Sequence, residues 1–150
     1  MRHTSSQFFQ LLPNAAREHL PPELRKFRHA GRSWLTQLYY ADSRLHYEVW
    51  NLGQQRGKLE IGLHFESKDE SVNRHFLAGF DRHLFEIKAR LGPGWEAERW
   101  DKGWTKVYEV WPLEPFGDAY LERVAKRLAQ SIVVLQPIFD DLQALRRGQR

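Results

Sequence analysis

From Lys58 to Glu66 the chain alternates without a break. Leu59, Ile61, Leu63 and Phe65 are apolar, while Lys58, Glu60, Gly62, His64 and Glu66 are not. Successive side chains leave a strand on opposite sides, so a period of two specifies a strand with one apolar face. A helix would scatter the same four apolar residues around its circumference. Leu45, Tyr47 and Val49 repeat the pattern against His46, Glu48 and Trp50, and Leu52-Gly53-Gln54-Gln55-Arg56-Gly57 reads as the loop between the runs. The two runs predict an antiparallel hairpin covered on one side, with its polar face in solvent. On that reading Leu63→Ala is costly and Glu60→Ala nearly silent.

The apolar face needs helices. Ser67-Lys68-Asp69-Glu70 fits a capping box with Ser67 as N-cap, and Val72, Phe76, Phe80, Leu84, Ile87 and Leu91 then form one helix face closed by Gly92-Pro93-Gly94. Two shorter strands are predicted at Trp95–Trp100 and Thr105–Trp111. A final helix starts at Asp118, with Pro137 predicting a kink or break. Before the hairpin, Ser33 to Ala41 reads as a strand. The first thirty residues read as short helical pieces broken by Pro13 and Pro21-Pro22, the last of them running from Glu23 to about His29. The expected fold is therefore α+β, in two layers: an antiparallel sheet of about five strands packed on helices, in the order α-βββ-α-ββ-α. One domain fills the 150 residues. It divides into a basic N-terminal region 1–32, a core 33–142 and a basic tail 143–150.

Absence of Cys removes disulfides, thiolate catalysis and Cys-ligated zinc, and points to a cytoplasmic protein. No apolar run is long enough for a membrane span, and the first residues lack the pattern of a signal peptide. The net charge of +4 is uneven. Arg2, Arg17, Arg25, Lys26, Arg28 and Arg32 face only Glu18 and Glu23 in the N-terminal region, and Arg146, Arg147 and Arg150 stand without acid in the tail. Arg25, Lys26, Arg28, Arg32, Arg146 and Arg147 are the candidate nucleic-acid contacts.

Three constellations carry candidate chemistry. Asp42, Glu66 and Lys68 fall at one end of the hairpin, and an acid followed by Glu-x-Lys resembles the core of PD-(D/E)XK nucleases. That likeness implies a metal-dependent nuclease with those three residues in its site. His46, Glu48, Glu60, His64 and Glu66 share the polar side of the hairpin, which reads as a solvated mixed-charge face, with a metal or proton shared by His64 and Glu66 as the alternative. Trp95, Trp100, Trp104 and Trp111 crowd one short hairpin; packing against the terminal helix accounts for them, and they are the candidate protein-interaction residues on the other reading. No phosphate-binding glycine loop, His-Glu-x-x-His or nucleophile elbow is present, and no cofactor is called for.

The stretch from His46 to Leu142 resembles a bacterial domain family of unknown function, often associated with restriction-type nucleases. The shared features are the acidic-ended strand Leu59 to Glu66, the helix Asn73 to Leu91, Trp95-Glu96, Lys106-Val107 and a last helix carrying Leu135 and Pro137. The element order also resembles type III secretion chaperones, which implies a homodimer that binds other chains. The expectation is a non-enzymatic binding or adaptor domain serving a nucleic-acid-processing or defence system. Its partners would be a protein, with nucleic acid and a second copy also open.

Overall fold

The computed structural model describes residues 1–148; Gln149 and Arg150 of the basic tail lie outside the described residues. Helix α1 (Ser5–Arg17) leads into strands β1 (Arg28–Arg32), β2 (Leu35–Tyr39), β3 (Leu45–Asn51) and β4 (Lys58–Phe65). Helices α2 (Glu70–Arg82) and α3 (Leu84–Leu91), strands β5 (Glu96–Arg99) and β6 (Thr105–Pro112), and the long helix α4 (Asp118–Gly148) follow. The sheet is antiparallel throughout, in the order β1-β2-β3-β4-β6-β5. The fold is α+β with six strands, one more than the sequence pattern indicates.

The extra strand is β1. Pro21 and Pro22 leave room only for a short 3-10 turn at Pro22–Leu24, and Arg28–Arg32 then pairs with β2, Arg28 opposite Tyr39 and Arg32 opposite Leu35. Sheet pairing overrides the helical propensity of this segment. Nor does α1 stop at Pro13. It is capped by Thr4 with Gln7 completing the capping box, and it runs on to Arg17. Proline removes the N–H that would bond the Phe9 carbonyl, and the Thr36 hydroxyl of β2 donates to that carbonyl instead, at 2.6 Å. The long amphipathic stretch after β4 is two helices, divided at His83, and its N-cap is Asp69 rather than Ser67. Helix α4 continues through Pro137 as one helix; the carbonyl partner lost there belongs to Val133, a residue on the exposed side.

All four helices lie on one face of the sheet. Leu45, Tyr47, Val49, Leu59, Ile61, Leu63 and Phe65 point into that layer and are buried, as their alternation predicts. Phe65 stacks on Phe76 of α2 at 4.9 Å between centroids, and Phe76 on Phe139 of α4 at 4.8 Å, tying the two layers together. Gly62 sits in the middle of β4 between Glu48 and Tyr108. A Cβ there would stand 2.5 Å from the Tyr108 Cβ, so glycine is what lets β6 close against β4.

Candidate metal centre

The hairpin register sets His46 opposite His64, Glu48 opposite Gly62 and Trp50 opposite Glu60. On the other side of β4, Lys106 stands opposite His64 and Tyr108 opposite Gly62. All these residues lie on the face away from the helices. That face is not the solvated surface expected from the alternation. His46, Glu48, Glu60 and His64 are each at most 4 % exposed, and Lys106 is 7 % exposed. Trp100, which follows β5, covers the cluster: its ring lies 5.7 Å from His64, 5.9 Å from Trp50 and 5.5 Å from Trp104. The Lys106 ammonium lies 5.0 Å from the centre of the Trp100 ring and 4.2 Å from that of Tyr108.

Inside this cover two His-x-Glu pairs meet. His46 Nε2 is 3.2 Å from Glu48 Oε1 and 3.8 Å from Glu66 Oε1. His64 Nδ1 is 3.8 Å from Glu48 Oε2 and 3.2 Å from Glu66 Oε2. Donor atoms from these four residues fall within 4.8 Å of one another. A tetrahedral ion with ligand bonds of about 2.0–2.1 Å has ligand-to-ligand edges of about 3.3 Å, close to the four separations.

The outer atoms of the cluster are already engaged. His64 Nε2 meets Glu60 Oε2 at 2.6 Å, and Glu60 Oε1 accepts from Lys106 Nζ at 2.5 Å. His46 Nδ1 meets the Ser43 carbonyl at 2.8 Å, and Gln37 donates to Glu48 Oε1 at 2.9 Å. The Ser43 carbonyl can only accept, so His46 donates to it from Nδ1 and turns Nε2 toward Glu48 and Glu66, where a metal ion would replace any proton. Glu60 holds the His64 Nε2 proton in the same way. Metal-binding histidines are oriented by such partners on the far ring nitrogen.

Charge points the same way. Glu48, Glu60 and Glu66 face the one ammonium of Lys106, so neutral imidazoles leave two negative charges in excess. Where protons alone balance this excess, one goes to His64. Burial opposes a charged imidazole, but the bonds to Glu60 and Glu66 outweigh it and raise the pKa to about 9. Burial likewise opposes the Glu48 carboxylate, but the bond to His46 and the charge of His64 hold its pKa down at about 2. The groups facing His64 are Glu60 on its own strand and Glu66 just after it, His46 and Glu48 on β3, Lys106 on β6, and the Trp100 ring.

The sign of the pH dependence follows. A raised histidine pKa stabilises the fold below its ordinary value near 6.5, and that contribution is lost as pH rises through about 9. A lowered glutamate pKa stabilises above the ordinary 4.5, and that contribution is lost as pH falls towards 2. Chelator-treated protein is expected to be most stable between about pH 4.5 and 6.5. It is expected to lose roughly 3 kcal/mol between pH 6.5 and 9.5 by urea denaturation, and His64→Gln is expected to flatten that alkaline limb.

The remaining candidates fall elsewhere. The Asp42 carboxylate accepts from the Arg44 N–H in the turn before β3 and lines a cavity on the helix side of the sheet. Glu66 belongs to the histidine cluster on the opposite face, and Lys68 is exposed just before the α2 cap. The four tryptophans do not form one patch. Trp95 is fully buried in the core and Trp111 packs against that core, whereas Trp100 lies over the polar cluster with Trp104 tilted against it. Arg25, Lys26, Arg28 and Arg32 are exposed at and just before the outer edge of β1, while Arg146 and Arg147 are in the last turn of α4. No helix is long and apolar enough to cross a membrane among the described residues. Comparison with protein-family models, curated proteins and solved structures finds no match to this chain.

Proposed function

We propose that the chain is a non-catalytic binding module built around a divalent transition-metal centre, with His46 Nε2, His64 Nδ1, Glu48 and Glu66 as ligands. The observation that carries this reading is the convergence of those four donor groups, with the far nitrogens of both histidines already engaged. Two imidazoles and two carboxylates suit Zn²⁺ and its first-row neighbours better than Mg²⁺ or Ca²⁺, which take all-oxygen shells. Four protein ligands under a tryptophan cover leave no open position, which is the pattern of a structural centre rather than a catalytic one. The ion would clamp β3 to β4 and hold the Trp100 cover in place. Support for an adaptor role comes from the exposed basic residues along the unpaired edge of β1, a sheet edge open to a protein or nucleic-acid partner.

Calorimetric titration of chelator-treated protein tests the metal reading. It should show one saturable site for Zn²⁺ and no saturable uptake of Mg²⁺ under the same conditions. Glu66 is partly exposed, so Glu66→Gln is expected to fold and to weaken Zn²⁺ binding by about 10–100-fold. Absence of a saturable Zn²⁺ site, or an unchanged affinity in Glu66→Gln, overturns the assignment.

A further inference from the structure

On the helix side of the sheet, away from the histidine cluster, β3 and β4 meet the C-terminal half of α4 around a cavity of about 250 Å³. A cavity of roughly 150 Å³ is enough to hold benzene, so there is room for an aromatic or branched apolar group with a small head. Its apolar lining includes the buried Leu45, Tyr47 and Leu63 of the sheet and Phe139 of α4. Its polar groups are engaged: the Tyr47 hydroxyl donates to Gln136 Oε1 at 2.9 Å, Gln136 Nε2 donates to Asp140 Oδ1 at 2.9 Å, the Tyr40 hydroxyl donates to the Leu24 carbonyl at 2.6 Å, and Gln143 Oε1 accepts from Arg146 Nε at 2.9 Å. An apolar body therefore strands no buried hydrogen-bonding group.

The mouth is charged with both signs. Asp42 and Asp140 stand there with Arg147. Asp42 Oδ1 takes the Arg44 N–H and Asp140 Oδ1 takes Gln136, which fixes both carboxylates. Neither acid, nor Arg147, belongs to an ion pair among the described residues. Asp140 and Arg147 are seven residues apart on α4, two turns along one face.

The geometry points to a binding site for a small zwitterion of the α-amino-acid type with a large apolar side chain. The side chain enters against Tyr47, Leu63 and Phe139, the ammonium group meets Asp42 and Asp140, and the carboxylate meets Arg147. Apolar enclosure with a few placed polar groups is the usual form of a small-molecule site. This site is independent of the metal centre, which lies on the other face of the sheet.

The test is a nuclear magnetic resonance titration of the full chain with L-phenylalanine, phenethylamine and 3-phenylpropionate. L-phenylalanine is expected to shift the Tyr47, Leu63 and Phe139 resonances saturably, with Kd on the order of 0.1–1 mM. Each analogue lacks one charge and is expected to bind about tenfold more weakly or worse. Asp140→Asn and Arg147→Gln should each weaken L-phenylalanine by about tenfold, and Ala144→Trp should abolish binding by filling the mouth. Circular dichroism of the three variants and their Zn²⁺ titrations report separately on fold and metal centre. Three results each overturn the proposal: no saturable shifts with L-phenylalanine, equal binding of all three probes, or binding that survives Ala144→Trp with the fold intact.

Discussion

Glu60→Ala is expected to destabilise the protein by roughly 3–5 kcal/mol, about as much as emptying the core with Leu63→Ala. Glu60 is 1 % exposed, and its two carboxylate oxygens hold His64 and Lys106. Alanine would leave the Lys106 ammonium buried without its anion and free the ring of His64. The loss comes from stranding those two groups rather than from the pair's net worth, because a buried ion pair spends much of its attraction on desolvation. The double variant Glu60→Ala/Lys106→Met separates the two contributions. It is expected to recover part of the loss, since the uncompensated charge is gone. Urea denaturation of the wild type, both single variants and the double variant measures this. A Glu60→Ala cost below about 1 kcal/mol would show that the carboxylate faces water.

The second large effect is metal-linked stability. A ligand that binds only the folded chain adds stability as its concentration rises above Kd, reaching about 4 kcal/mol at a thousandfold excess. Zn²⁺ added to chelator-treated protein is expected to raise the thermal midpoint by several degrees or more, in proportion to that increment. His46→Ala and Glu66→Gln should lose most of the Zn²⁺-dependent rise. Glu98→Ala should keep it, because Glu98 bonds Tyr108 outside the cluster. An equal rise in all three variants would place the ion elsewhere.

How much of this could be read from the chain differs by element. The strand Lys58–Phe65 and its partner Leu45–Asn51 are legible because their alternation is local and complete. The same alternation puts His46, Glu48, Glu60, His64 and Glu66 on one side. It does not say how the strands are staggered. The register that sets His46 opposite His64 depends on the Leu52–Gly57 loop, and that register is what turns His46-x-Glu48 and His64-x-Glu66 into one cluster. The repeated His-x-Glu is the signal that two adjacent strands could supply four ligands.

Burial of that face was not legible at all. It depends on β6 crossing to pair with β4, which brings Lys106 beside Glu60, and on Trp100 folding back over His64. Both are long-range events with no local mark. Prolines misled in the opposite direction. Pro13 ends a helix only if the freed Phe9 carbonyl finds no donor, and Thr36, distant in sequence, provides one. Strand β1 was missed for a similar reason, since Arg28–Arg32 has no apolar face of its own and is fixed by pairing with β2.

The most direct test of the metal centre is the anomalous scattering of a crystal grown with Zn²⁺, collected on both sides of the zinc absorption edge. The predicted result is one strong anomalous peak between β3 and β4 on the face away from the helices. It should lie about 2.0–2.2 Å from His46 Nε2, His64 Nδ1 and a carboxylate oxygen of each of Glu48 and Glu66. A map with no peak among these four residues, at a Zn²⁺ concentration that saturates the protein in solution, would contradict the account.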